Sequence, residues 1–184
     1  VVKNVAKLKL RDGFSVNTKN KWDFKSTVTP ASSNSKKSGD NSVISFEDAK
    51  KKLLVNLSAL DLATEARTNF IHNLRDILLL DDDMPFVLIE QMKKQTLSDR
   101  TRADLFLALE LSGNQAAQSA LMTVFNDVES SSTDGMRAIV ALGGVANPSN
   151  DAIDALWDLA NNTSMETARA ELPGTAALAL GALG

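Results

Sequence analysis

Cysteine is absent from this 184-residue chain, which removes disulfides, thiolate metal sites and a cysteine nucleophile together. The absence leaves the compartment open, since many exported proteins also lack cysteine. Histidine is nearly absent: the single copy, His72, stands in "NFIHNLRD". On a helix its neighbours at three and four residues are Thr68, Asn69, Arg75 and Asp76, which do not form a zinc set, so a polar histidine on a helix face is expected rather than a ligand. The chain also lacks HExxH, GxSxG, P-loop and GxGxxG patterns. Neither sign of charge dominates: 20 basic and 23 acidic residues leave a net charge of -3, with no excess to neutralise a phosphate backbone, and nucleic acid is not an expected partner. The longest apolar runs are a handful of residues, far short of the roughly 20 that span a bilayer as a helix. No transmembrane segment is expected. These absences together predict no catalytic, cofactor-binding or metal residue, no cofactor, and a protein that is not an enzyme.

What the chain does have is apolar surface to bury. Its 43% hydrophobic content supports a core of ordinary domain size. The texture changes twice along the sequence. Residues 1–30 alternate apolar and polar through Val5, Leu8 and Leu10, meet the turn dipeptide Asp12-Gly13, and alternate again through Trp22, Phe24 and Val28 before Pro30. This pattern predicts a short β-strand segment belonging to a larger sheet, because two strands alone are marginal in water. Residues 31–44, centred on "ASSNSKKSGDN", are too polar to offset ordering entropy and read as a flexible linker. From residue 45 to 184 the period lengthens to that of a helix. Ser45 and Asp48 resemble a capping box before Phe46, Ala49, Leu53, Leu57 and Leu60.

About eight helices with short links are expected in that region. Their apolar faces are read as Phe70, Leu74, Ile77 and Leu78; Phe86, Ile89 and Met92; Ala103, Phe106, Leu109 and Glu110; Ala117, Leu121, Val124, Phe125 and Val128; Met136, Ile139, Val140 and Gly143; and Ile153, Leu156, Trp157 and Ala160. The spacing of Trp157 places it in the core rather than in a ligand groove. Breakers fall at Gly113, Gly143-Gly144, "NPSND" and "NNTS", where caps belong. The run Asp81, Asp82, Asp83 lacks the spaced ligands of an EF-hand and is expected to cap and charge the helix that begins near Pro85. Glycosylation triplets begin at Asn56, Asn161 and Asn162; the first falls mid-helix, which leaves the loop pair.

Two stretches are written alike. "RAIVALGG" from Arg137 and "AALALGAL" from Ala176 match at an offset of 38 through Ala138/Ala176, Ala141/Ala179, Leu142/Leu180 and Gly143/Gly181, and Ala108-Leu109 stands 33 before Ala141-Leu142. A similar small-sided helix thus recurs with one helix between copies, as in a stacked two-helix unit close to HEAT and armadillo repeat lengths. Ala or Gly at a helix contact permits close axes where Leu would hold them apart, so Gly143 and Gly181 are both expected to admit a neighbouring helix. The predicted fold is mainly α: antiparallel two-helix repeats stacked as an alpha-alpha superhelix after a short β segment.

In "FVLIEQMKKQTLSDRTRADLFLALELSGNQAAQSALMTVFND", "MRAIVALGGVANPSNDAIDALWDLANN" and "LPGTAALALGALG", the order of elements resembles the helical domain of the large lipid transfer proteins, the vitellogenin and apolipoprotein B group, over residues 45–184. The resemblance implies a β-barrel domain leading into a helical superhelix, lipid handling, and a secreted or periplasmic setting. The chain opens without Met and ends inside an apolar helical pattern, and it is read as a piece of a longer protein. Two functions follow as expectations: a non-catalytic scaffold that binds a protein partner on its concave helical face, or a lipid-handling module that binds lipid there.

Overall fold

Serine or asparagine precedes four successive helices, and the side-chain oxygen of each accepts a backbone N–H of the first turn. The computed structural model describes residues 14–17, 21–24, 54, 57 and 64–183. The chain divides into two compact units, Val1–Asn69 and Phe70–Gly184. In the first, strands β1 (Phe14–Asn17) and β2 (Lys21–Phe24) pair antiparallel with Phe14 opposite Phe24 and Val16 opposite Trp22. Leu57 is buried. The expected linker and the Ser45/Asp48 capping box lie outside the described residues, as does the Asn56 triplet.

Seven α-helices are described: α1 (Thr64–Leu80), α2 (Met84–Lys94), α3 (Asp99–Ser112), α4 (Gln115–Asn126), α5 (Ser132–Gly143), α6 (Asn150–Ala160) and α7 (Leu172–Ala182), with a 3-10 turn at Thr167–Arg169. The described chain is mainly helical. Each of α3 to α6 starts where a side-chain oxygen accepts an otherwise orphaned backbone N–H: Ser98 Oγ from Thr101, Asn114 Oδ1 from Ala117, Ser131 Oγ from Asp134 and Ser149 Oγ from Ala152, at 3.1, 2.8, 3.1 and 3.2 Å. Gly113 ends α3 in the left-handed region, φ 55, where a Cβ is disfavoured. The aspartate run behaves differently from expectation at one point. Asp83, at the N-cap position of α2, makes no side-chain cap; Asp81 instead accepts the Asp83 N–H at 3.0 Å, fixing the turn before the helix.

Helices alternate in sequence but pair by twos in space. α5 packs against both α3 and α7, α4 packs against both α2 and α6, and α4–α5 and α6–α7 pack as sequence neighbours. Helices α3, α5 and α7 share one direction. Arg102 in the first turn of α3 reaches Asp134 in the first turn of α5 at 2.6 Å, while Gly144 at the end of α5 lies against Glu110 near the end of α3. Gly135 meets Leu172 at the starts of α5 and α7, and Gly143 meets Ala179 at their ends. In the other row, Lys93 in the last turn of α2 pairs with Asp127, the C-cap of α4, at 2.7 Å. The Ala-Leu helices noticed in the sequence are therefore direct neighbours.

Buried side chains fill the space between these rows. Leu105, Leu109, Leu121, Phe125, Ile139, Leu142, Leu156 and Leu172 are fully or almost fully inaccessible, and Phe70, Leu74, Ile77 and Leu78 line the buried side of α1 as expected. Several expected core positions are not core. Phe86, Ala103, Val128, Val140, Ile153 and Trp157 are exposed, and Trp157, expected in the core, is 62% exposed. In α6 the buried line is Ala152, Leu156 and Leu159, which turns the stripe of Ile153 and Trp157 outward. In α2 the buried line is Met84, Leu88, Ile89 and Met92, one step away from Phe86. Val128 lies beyond the end of α4 at Asn126, so no helix carries it inward.

Buried polar groups stitch the links. Gln118 donates to the carbonyls of Gly113 and Asn147, at 2.8 and 3.1 Å, and accepts the Ser149 N–H at 2.8 Å. One amide thus joins the end of α3 to the α5–α6 link and the start of α6. Buried Arg169 donates to the Phe125 carbonyl in the last turn of α4, where a cation also suits the helix dipole.

Candidate binding surface

Alternate leucines at 105, 107, 109 and 111 give α3 more apolar surface than one packed face needs. Leu105 and Leu109 are buried, whereas Leu107 and Leu111 are exposed. The flanks of α5 are fixed by its neighbours: Asp134, Arg137 and Gly144 turn toward α3, and Gly135 and Gly143 toward α7. At 100° per residue Val140 falls between these flanks, opposite buried Ala138 and Leu142. Val140 is exposed, and on α7, whose Leu172 and Ala179 meet α5, Leu178 is 79% exposed. Leu107, Leu111, Val140 and Leu178 therefore lie on the outward face of three side-by-side helices. Aliphatic side chains left in water across neighbouring elements mark a surface that gains free energy when covered.

Electrostatics frame this face at its two ends. At the helix starts, Asp134 accepts from Arg102 at 2.6 Å and from Arg137 at 3.2 Å, and Arg137 also reaches Asp99 at 3.2 Å. Near the helix ends, Glu110 is half-buried beside Gly144, and desolvation holds its carboxyl above the ordinary value. Asp127 is shifted the other way: the hydrogen bond from Lys93, then that from the Glu129 backbone N–H, holds it below the usual carboxylate range.

A second exposed surface lies on α6. Ile153 and Trp157 stand one turn apart and are both exposed, and Asp151, Asp154 and Asp158 are exposed on the same helix. The sequence offered a signal for this arrangement: α6 carries two apolar stripes at four-residue spacing, and only one of them is buried.

His72 is exposed on α1, and among the described residues no group of three His, Cys, Asp or Glu side chains could hold a metal ion. Asn161 and Asn162 are exposed after α6; Asn161 donates to the Trp157 carbonyl at 2.8 Å and Asn162 accepts the Ser164 N–H at 3.1 Å. No described helix is long and apolar enough to cross a membrane. No protein-family model, curated protein or solved structure matches this chain.

Proposed function

We propose that this chain is a non-catalytic helical-repeat scaffold that binds a protein partner, built of antiparallel two-helix units stacked as a superhelix. The observation that carries the reading is the row α3, α5, α7, whose shared direction lets Leu107, Leu111, Val140 and Leu178 form one outward apolar face. Stacked units of this kind generate extended surfaces by repetition, and aliphatic side chains exposed on them gain free energy when a partner covers them.

A second reading is a lipid-handling module, in line with the resemblance to the vitellogenin and apolipoprotein B group. The same four side chains are aliphatic, and such a surface also suits acyl chains. Native mass spectrometry with organic extraction separates the two. A lipid-free protein whose Val140→Glu/Leu178→Glu variant loses a co-purifying protein supports the scaffold; acyl chains in stoichiometric amount, lost in the same variant, overturn it in favour of lipid handling.

A further inference from the structure

Trp157 is 62% exposed, and the charged residues of its own helix are all of one sign. α6 reads "NDAIDALWDLA" and contains no Lys or Arg. Asp154 and Asp158 stand one turn apart on the helix, flanking Trp157 in sequence, with Asp151 a turn earlier. Such like charges at three- and four-residue spacing oppose helix formation. On the neighbouring row the opposite holds: Asp99 and Asp134 at the starts of α3 and α5 are both engaged by arginine. Among the described residues no cation lies within ion-pair distance of Asp151, Asp154 or Asp158, because the ion pairs formed there involve Asp76, Glu90, Asp99, Asp127 and Asp134 as the acids. The helix therefore presents an apolar anchor, Trp157 with Ile153 one turn before it, inside an uncompensated acidic rim.

We infer that the outward face of α6 docks a cationic segment of a partner protein, with Trp157 as its apolar anchor and Asp154 and Asp158 as its charged rim. The inference deepens the scaffold reading and rests on it. Charge complementarity decides the occupant: carboxylates repel nucleic-acid phosphates and anionic lipid headgroups, and they attract Lys and Arg. Arginine suits the site best, since its planar guanidinium stacks on an indole face while its N–H groups donate to carboxylates. The aliphatic stem of the same residue covers Ile153.

The test is calorimetric titration of the full chain with a short arginine-bearing amphipathic peptide and with its glutamate counterpart. The arginine peptide binds and the glutamate peptide does not. Trp157→Ala weakens binding about tenfold, and so does Asp154→Asn/Asp158→Asn, which also flattens the salt dependence. Asp82→Asn/Asp83→Asn makes the same change in net charge on an exposed turn distant in sequence, and alters binding by less than about twofold. Equal losses in the two double variants reveal general attraction to an acidic protein and overturn the proposal, as does a Trp157→Ala variant that binds normally. If Trp157→Ala is harmless while Val140→Glu/Leu178→Glu releases a protein partner, the α6 site fails and the scaffold reading stands. If acyl chains co-purify in stoichiometric amount and the arginine peptide does not bind, both fail.

Discussion

A Cβ placed on Gly143 would stand 2.8 Å from the Ala179 Cβ and 3.0 Å from the Ala179 Cα. The contact is between backbones, since Ala179 has no flexible end that can swing away. Gly143→Ala forces α5 and α7 apart at a cost of about 1–3 kcal/mol for overpacking, partly offset by about 1 kcal/mol of helix propensity. The expected result is a net loss of about 1 kcal/mol by chemical denaturation. Gly181→Ala gives the opposite sign, because nothing lies within 4 Å of its added carbon; a gain of up to about 1 kcal/mol is expected. Equal effects at the two glycines would contradict the packing described for α5 and α7.

Gln118 is expected to be one of the most sensitive polar positions. Gln118→Ala leaves the Gly113 and Asn147 carbonyls and the Ser149 N–H without their partner, at roughly 2–3 kcal/mol. Gln118→Glu keeps the acceptor for Ser149 but replaces two donated hydrogen bonds with repulsion between oxygens. Its loss should be no smaller, despite the near-identical shape. Thermal melts of the two variants check this, and a neutral Gln118→Glu would show that the donated bonds contribute little.

The ion network at the starts of α3 and α5 is predicted to be uneven. Asp134, 15% exposed, serves both Arg102 and Arg137, whereas Asp99 is 89% exposed. Asp134→Ala takes the carboxylate from Arg102, itself 21% exposed, and leaves it the Met92 carbonyl; the loss should be about 2 kcal/mol. Asp99→Ala should lose no more than about 0.5 kcal/mol, as for an ion pair open to solvent. Denaturation in low and high salt gives a further check, since screening weakens the Asp99 contact first.

Two carboxylates should give opposite pH dependences. The Glu110 carboxyl is raised in the folded state by desolvation, so the folded chain binds its proton more tightly than the unfolded chain. Its charged form therefore lowers stability above the raised value, and stability recovers as pH falls toward the ordinary value of 4.5. Glu110→Gln should be more stable than the parent at neutral pH and lose that advantage below 4.5. Asp127 is lowered chiefly by the hydrogen bond from Lys93. Its contribution is present above the unfolded value of 3.8 and disappears as pH falls through the folded value. Lys93→Met should shrink this acid-side component without abolishing it, since the Glu129 N–H and Ser130 hydroxyl still donate to Asp127, while leaving the Glu110 component in place.

The sequence by itself determined the helical character, most helix ends and much of the core. Ser98, Asn114, Ser131 and Ser149 can accept first-turn N–H groups wherever their helices pack, and Gly113 can take a positive φ at a helix end without help from neighbours. Periodicity also placed Leu74, Leu109, Leu121 and Leu156 inside. Tertiary structure decided the rest. A four-residue spacing leaves two stripes available on α6, and packing against α4 and α7 buried Ala152, Leu156 and Leu159 rather than Ile153 and Trp157. The Gly143/Gly181 match looked symmetrical as letters, yet Gly143 faces Ala179 and Gly181 faces open space. A helix's propensity is local, whereas which of its faces loses water depends on neighbours distant in the chain; that is why the helices were legible and their exposed apolar surfaces were not.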